Sequence, residues 1–331
     1  MTEEMSYPLW EERLGLFMKK LLAVLLATAM VLSLTACGGT TNLRFVTGGE
    51  SGTYYAFGSV IAQHVTNNTD VKVTAIVGNG SQKNVQELTA GTAELAFCQS
   101  DVMAYAYEGT NLFEEPITDF STVAALYTEQ VQIVTLDENI KTVADLKGKN
   151  VSIGAPGSGV YFNAIDILGA YDLTEDDITA TYQSFGDSAD ALKDGKIDAA
   201  FIVAGAPTTA VVDLSTTKQV YLVSLDDEHL NKLLASSPYY AKCVITADTY
   251  GMPADATTVG VGAVILAKNS VSEDAVYAFV KDIFDNAANL GDSHAKYNEV
   301  NLEYGSSITS VPYHAGAAKY FKEKGFDVFT K

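Results

Sequence analysis

Residues 120–136 read FSTVAALYTEQVQIVTL, an apolar stretch with no clear turn between Val123 and Val134. It is longer than an ordinary strand, so it predicts a strand that leaves one lobe and enters another. A second long apolar run, VGVGAVIL at residues 259–266, predicts the return crossing. Two crossings imply two discontinuous α/β lobes, residues 43–128 plus 263–331 and residues 129–262, with a ligand cleft between them.

Strand-like and helix-like patterns alternate on both sides of these crossings. The other predicted strands are residues 43–46, 71–77, 94–98, 151–154, 179–182 and 199–203. The predicted helices are residues 54–65, 81–90, 161–171 and 188–193, followed by a helical C-terminal third. Such alternation predicts parallel sheets covered by helices. Ligands of open parallel sheets bind beyond the carboxyl ends of the strands, so the turns at those ends are candidate sites.

Composition narrows the class of protein. The chain has 331 residues, is 47% hydrophobic, and combines 21 Lys+Arg with 41 Asp+Glu for a formal charge of -20. This acidity argues against nucleic-acid binding, which needs clustered cations.

The N-terminal segment has the pattern of an export signal. Residues 18–37 read MKKLLAVLLATAMVLSLTAC, with two lysines, an apolar run and small residues before Cys37. Because the basic segment starts so late, translation is predicted to begin at Met18. LTAC at 34–37 resembles the lipobox of bacterial lipoproteins, so we expect a signal over 1–36, lipidation of Cys37 and a tether over 37–42. An ordinary signal peptide with a coincidental cysteine is the alternative.

Two glycine-rich turns follow strands and open helices. They are TGGESGTYY at 47–55 and GAPGSG at 154–159, one in each predicted lobe. Free N–H groups at a helix start favour anions, and tyrosines add flat walls with hydroxyl groups. Opposed across a cleft, the two helix starts would suit a carboxylate; a tight turn with buried tyrosines is the alternative.

Charged side chains refine this prediction. Arg44 is the only arginine after residue 36 and lies within a predicted strand, which argues against an arginine clamp on a carboxylate. Backbone N–H groups and hydroxyls would then hold an anion. Glu129 and Asp101 could bind a ligand ammonium, although either could instead be a solvated loop residue or a helix cap. The combination favours an amino acid or a small carboxylate.

Catalytic and metal-binding patterns are scarce. His64, His229, His294 and His314 show no metal-ligand spacing, and the sequence contains no G-x-S-x-G motif. Cys98 and Cys243 lie in apolar runs and are expected to be buried free thiols. We therefore expect no enzymatic activity and no cofactor.

A series of motifs resembles one family along nearly the whole mature chain. In chain order they are SGTYY at 51–55, Gly80-Ser81 with Asn84, QSDV at 99–102, Leu126-Tyr127 with Glu129, DLKGK at 145–149, GAPGSG at 154–159, Gly205 with Pro207, TVGV at 258–261, and HAGA at 314–317 leading to Tyr320 and EKG at 323–325. Together they resemble the TAXI-branch solute receptors of TRAP (tripartite ATP-independent periplasmic) transporters. Departures include Val160 where the family often has Thr, Ala247 where Gly is expected, and Tyr313 in place of Leu.

The resemblance implies a type II periplasmic-binding-protein fold and a receptor that delivers a glutamate-like anionic or zwitterionic solute to an ion-driven TRAP permease. With the lipobox at Cys37 we expect this receptor to be lipid-anchored, and we expect it to be a monomer. The ligand-binding residues that it and the turns imply are Ser51, Gly52, Thr53, Tyr54, Tyr55, Gly80, Ser81, Asn84, Gln99, Asp101, Tyr127, Glu129, Pro156, Gly157, Ser158, Gly159, Gly205 and Pro207. A receptor for an ABC importer, a ligand-sensing lipoprotein and a lipid-anchored enzyme are the alternatives.

Overall fold

A computed structural model describes residues 41–331 of the chain. The predicted signal over 1–36, the start at Met18 and the lipidation of Cys37 lie outside the described residues. Within residues 41–331, no helix is both long enough and apolar enough to cross a membrane.

Ten strands and ten helices alternate along the described chain. The strands are β1 Thr41–Val46, β2 Val71–Ile76, β3 Leu95–Gln99, β4 Phe120–Thr135, β5 Asn150–Ser152, β6 Thr179–Thr181, β7 Ala199–Ala204, β8 Tyr221–Leu222, β9 Ala241–Ile245 and β10 Ala256–Lys268. The helices are α1 Thr53–Asn68, α2 Ser81–Ala90, α3 Ser100–Glu108, α4 Val160–Ala170, α5 Phe185–Lys193, α6 Thr209–Ser215, α7 Asp227–Ser236, α8 Glu273–Asn286, α9 Leu302–Gly305 and α10 Ala315–Glu323. Short 3-10 helices are Val143–Leu146, Glu175–Asp177, Ala247–Thr249, Ala287–Asn289 and Ala295–Asn298.

The two long apolar runs are the two longest strands, as the sequence predicts. β4 has 16 residues and β10 has 13, and they pair antiparallel from Gly260 opposite Gln130 to Lys268 opposite Phe120. They stand at the centre of the strand order β2-β1-β3-β10-β4-β7-β5-β6. Each contributes to both sides of the molecule and so connects the two lobes.

The expectation of parallel sheets is correct only in part. β1 pairs parallel with β3, and β5 pairs parallel with β6 and β7. β10, however, is antiparallel to β3 and β4, and β4 is antiparallel to β7. The reason is that β4 and β10 run between the lobes in opposite directions, so both meet strands of opposite polarity.

Separate apolar cores identify the two lobes. In the first lobe, β1–β3, α1–α3 and α8–α10 bury residues such as Phe57 and Phe279. In the second, β5–β9 and α4–α7 bury residues such as Ile167 and Phe201. Phe162 of α4 is an exception, because it packs into the first lobe. Since β4 and β10 pass continuously between the cores, the boundaries after residues 128 and 262 stay a prediction.

The two cysteines after the tether are free. Cys98 is fully buried in β3, as expected, whereas Cys243 in β9 is only partly buried.

Candidate ligand-binding site

A cavity of about 90 Å³ lies between the lobes. Its walls are the turns that follow β1, β2, β5 and β6, together with the ends of β3 and β7 and the middle of β4. The lining residues are Gly48, Gly49, Ser51, Gly52, Thr53, Tyr54, Gly78, Asn79, Gly80, Ser81, Gln99, Glu129, Ala155, Ser158, Gly159, Val160, Gln183, Ser184, Phe185, Val203 and Ala204. The cavity therefore lies where strand ends and helix starts of both lobes meet.

Four helices begin at the cavity wall. The N-cap residues of α1, α2, α4 and α5 are Gly52, Gly80, Gly159 and Ser184. The three glycine caps have no side chain that could accept a bond from the first N–H groups. These groups remain available to a ligand, except the N–H of Lys83 in α2, which donates to the Gly157 carbonyl. Because the N-terminal end of a helix carries partial positive charge, these helix starts favour the anionic part of a ligand.

Two of these glycines allow the lobes to come together. Gly80 has a φ of +102°, and a Cβ atom there would lie 2.9 Å from the Cα of Ser158. At Gly159, a Cβ atom would lie 1.7 Å from the Oε1 of Gln99. Any side chain at either position would hold the walls of the cavity apart.

Glu129 is the acidic side chain of the cavity wall. It is 2% exposed, and its Oε2 accepts a hydrogen bond of 2.6 Å from the Tyr54 hydroxyl. The Tyr54 ring stacks on Phe97 with centroids 4.5 Å apart, which fixes the direction of that hydroxyl. Within the described chain, Oε1 of Glu129 has no hydrogen-bond partner. Glu129 therefore offers one oxygen to a ligand.

Burial dominates the electrostatics of this carboxyl. It raises the pKa of Glu129 well above its usual range, while the Tyr54 hydrogen bond and the charge of Lys296 oppose this rise. No lysine, arginine or histidine is among the described residues that line the cavity. Arg44 instead pairs with Glu94 and is largely exposed. A ligand cation beside Glu129 would supply the missing positive charge.

Hydrogen bonds between the lobes close the cleft around the cavity. The N–H of Lys83 donates to the Gly157 carbonyl at 2.9 Å, and the N–H of Ala210 donates to the Ser51 carbonyl at 3.2 Å. The Thr53 hydroxyl donates to the Gly205 carbonyl at 2.8 Å. The described conformation is therefore closed.

The structure brings ten of the predicted site residues to the cavity wall. They are Ser51, Gly52, Thr53, Tyr54, Gly80, Ser81, Gln99, Glu129, Ser158 and Gly159. The buried oxygens of Gln99 (Oε1) and Ser158 (Oγ) have no hydrogen-bond partner among the described residues. Residues of both glycine-rich turns thus lie at this wall, and their role in ligand binding stays a prediction.

The other eight predicted residues do not line the cavity. They are Tyr55, Asn84, Asp101, Tyr127, Pro156, Gly157, Gly205 and Pro207. Asn84 holds β1 and β3 together through the carbonyls of Thr47 and Phe97, at 2.5 and 2.8 Å. Gly157 and Gly205 accept the interlobe bonds just described, and Pro207 follows a cis peptide bond. These residues lie outside the cavity wall, where they support the cleft or contribute to its closure.

Asp101 is sealed behind the wall. Its Oδ2 accepts a 2.8 Å bond from Asn163 Nδ2, and Asn163 also accepts a 3.1 Å bond from Gln99 Nε2. Burial raises the pKa of Asp101 to about 6. The carboxyl is one layer removed from a ligand, because Asn163 and Gln99 stand between it and the cavity.

Several cavity residues were not predicted from the sequence. Asn79, Gln183, Phe185, Val203 and Ala204 are among them. Gln183 to Phe185 form the turn between β6 and α5, which is the same strand-to-helix position as the two glycine-rich turns. The rule that ligands bind beyond strand ends would have indicated them, but this turn lacks the glycines that marked the others.

Two lobes that close over a cavity at their strand ends, connected by two crossing strands, define the type II periplasmic-binding-protein fold. This confirms the fold class predicted from the sequence. A family model matches residues 45–325, and the chain belongs to the NMT1-like family.

Solved structures with the same fold are distant in sequence. They include a protein from Bordetella bronchiseptica RB50 at 16% identity, with 80% of this chain and 77% of that chain covered and a TM-score of 0.53. The ligand-binding component of an ABC-type import system from Staphylococcus aureus, with zinc bound, has 11% identity, 86% and 92% coverage and a TM-score of 0.51. PhnD1 from Prochlorococcus marinus, in complex with methylphosphonate, has 11% identity, 78% and 88% coverage and a TM-score of 0.50. At these identities the likeness is one of fold.

Proposed function

We propose that this protein is an extracytoplasmic receptor that binds a small amino acid or carboxylate, glutamate-like in chemistry, and delivers it to a membrane permease. The observation that carries the proposal is the closed cavity between the lobes, which combines four helix starts with one buried carboxyl. Family membership and the shared fold support a binding role.

The size of the cavity supports a small ligand. About 90 Å³ is available. Roughly 10–15 Å³ of such volume is enough to hold one water, so the cavity has room for a group larger than a water molecule. This is in keeping with an amino acid or a small dicarboxylic acid.

The distribution of charge supports a zwitterion. The starts of α1, α2 and α4 offer backbone N–H groups to a carboxylate, without any arginine. Glu129 offers its free oxygen to an ammonium group, which would replace the missing cation. An anion without an ammonium group would leave Glu129 unpaired and would favour its protonated, neutral form.

The predicted export signal and Cys37 support a lipid-anchored receptor on the outer side of the cytoplasmic membrane, and we propose that it acts as a monomer. The TRAP resemblance supports an ion-driven permease, whereas the ABC-type neighbour from Staphylococcus aureus favours an ATP-driven one as the second candidate. Uptake of the ligand by vesicles carrying the native permease separates them. Loss on collapse of the ion gradient supports the first, and dependence on ATP supports the second.

Thermal unfolding of residues 38–331 with a panel of ligands tests the binding role. A ligand that binds only the folded protein adds about 2.7 kcal/mol at a hundredfold excess over its dissociation constant. We expect the midpoint to rise with glutamate or glutamine and to rise less with 2-oxoglutarate, which lacks the ammonium group. Absence of any shift, after refolding to remove bound solute, would refute the proposed ligand class.

A further inference from the structure

Lys296 is a buried cation that lies outside the cavity. It is part of the 3-10 helix Ala295–Asn298 of the first lobe, and its side chain is only 4% exposed. Its Nζ donates to the Ala206 carbonyl at 2.9 Å and to the Glu299 carboxylate, and lies 5.4 Å from the centre of the Tyr127 ring. A buried ammonium is costly unless its donors are satisfied, so these contacts determine where the side chain lies.

The Ala206 carbonyl belongs to the opposite lobe. Residues 205–208 directly follow β7, whose last residues Val203 and Ala204 line the cavity. The same segment receives the Thr53 hydroxyl at the Gly205 carbonyl, and the Ala206 N–H donates to Gln130 Oε1 at 3.0 Å. Lys296 therefore contributes a charge-assisted hydrogen bond from the first lobe to the second, beside the cavity wall.

The packing around Gly205 shows how closely Lys296 fits. A Cβ atom at Gly205 would lie 2.4 Å from Lys296 Cε and 2.9 Å from Tyr127 Cε2. The lysine stem thus lies directly against the backbone of the second lobe. If the lobes separated, Lys296 would keep Glu299, which is in its own lobe, and would lose both the Ala206 carbonyl and this packing.

We propose that Lys296 is a positioning residue that fastens the closed conformation of the two lobes, in the absence of solute as well as in its presence. This rests on the proposed function insofar as closure traps a solute. Hydrogen bonds that involve a charged group are stronger than neutral ones. Lys296 therefore stabilises the closed conformation before a solute binds. A bound solute then stabilises this conformation further through its own contacts.

The test compares Lys296→Met with Glu299→Gln. Methionine keeps the apolar stem and removes the donors to Ala206, whereas Glu299→Gln alters the partner of Lys296 that lies within the same lobe. Spin labels at Leu112 and Val212, which are 53% and 37% exposed and lie in different lobes, report the distance between the lobes. The full chain is used with Cys37→Ser and Cys243→Ser, and Cys98 is fully buried.

Without solute, we expect Lys296→Met to shift the label distances toward longer values and Glu299→Gln to leave them as in the parent protein. Unchanged distances in Lys296→Met, or an equal shift in both variants, would overturn the proposal. Gly205→Ala serves if Lys296→Met does not fold, because its new methyl group displaces the lysine stem and should lengthen the distances in the same way.

Glutamate as a probe gives a second readout. We expect its dissociation rate to rise at least about tenfold in Lys296→Met, and to change less than about threefold in Glu299→Gln. A rise of the same size in both variants would contradict an interlobe role. If the parent protein does not bind glutamate, the proposed ligand class fails, whereas the label distances still decide the role of Lys296.

Discussion

Glu129 and Asp101 are two buried carboxyls with different surroundings. Both are predicted from the sequence as partners for a ligand ammonium, and both are at least 98% buried. Glu129, in the middle of β4, has one oxygen held by Tyr54 and the other free at the cavity. Asp101, in the first turn of α3, faces Asn163 instead. Burial alone does not place an acid at a binding site, because the residues around the acid decide whether it reaches the cavity.

The difference depends on a residue far away in the sequence. Asn163 lies 62 residues beyond Asp101, on α4 of the other lobe, and bonds Asp101, Gln99 and Tyr240 at the same time. Its amide closes the space that Asp101 would need to reach a ligand. No residue near Asp101 in the sequence indicates this contact.

Replacement of Asp101 should have the largest effect, and the effect should be on stability. Burial raises the pKa of Asp101 from 3.8 to about 6, so the folded protein holds this proton more tightly than the unfolded chain. The free energy of unfolding therefore falls as the pH rises from about 4 to about 6, by about 3 kcal/mol from this group. We expect Asp101→Asn to remove that part of the decline.

Denaturant unfolding at pH 4 and pH 7 measures this difference. Burial also raises the pKa values of Glu129 and Asp166, and both residues remain in the variant. They therefore still lower its free energy of unfolding as the pH rises. The affinity for glutamate should change less than about threefold, because Asp101 does not line the cavity. An unaltered pH dependence of stability, or a large loss of affinity, would remove the distinction between the two acids.

Replacement of Glu129 should act on affinity. A hydrogen bond to a charged group contributes about 1.5–3 kcal/mol, so we expect Glu129→Gln to weaken glutamate binding about 10- to 150-fold. The raised pKa of Glu129 adds a pH dependence. Since an ammonium group favours the ionised carboxyl, the affinity of the parent protein should rise with pH, and that of Glu129→Gln should not.

Calorimetric titrations with glutamate and with 2-oxoglutarate, at several pH values, measure both the loss of affinity and its dependence on pH. The loss in Glu129→Gln should be confined to the ligand that carries the ammonium group. Equal losses for the two ligands would mean that Glu129 shapes the cavity without binding a cation.

The strand pattern made the fold predictable. The length of β4 and β10 indicated two crossings, and the glycines of 47–55 and 154–159 indicated two walls of the cavity. The segment 183–185 was missed although its strand was predicted at 179–182, because no glycine-rich turn marks the end of β6. Interlobe contacts such as the hydrogen bond from Lys296 to Ala206 could not be foreseen, because they join residues 90 positions apart that only the folded structure brings together.

Replacement of Tyr54 should have the smallest effect, and it tests the hydrogen bond that Tyr54 donates to Glu129. Tyr54→Phe keeps the ring stacked on Phe97 and removes only the hydroxyl that bonds Oε2 of Glu129. One hydrogen bond contributes about 0.5–1.5 kcal/mol, so glutamate affinity should fall by about two- to tenfold. Because that bond lowers the pKa of Glu129, its loss should move the rise in affinity to higher pH. Tyr55→Phe is the matched control, since Tyr55 does not line the cavity. An equal loss in Tyr55→Phe would show that the effect is not specific to the bond between Tyr54 and Glu129. An unchanged affinity and pH profile in Tyr54→Phe would show that the Tyr54 hydroxyl does not serve the site.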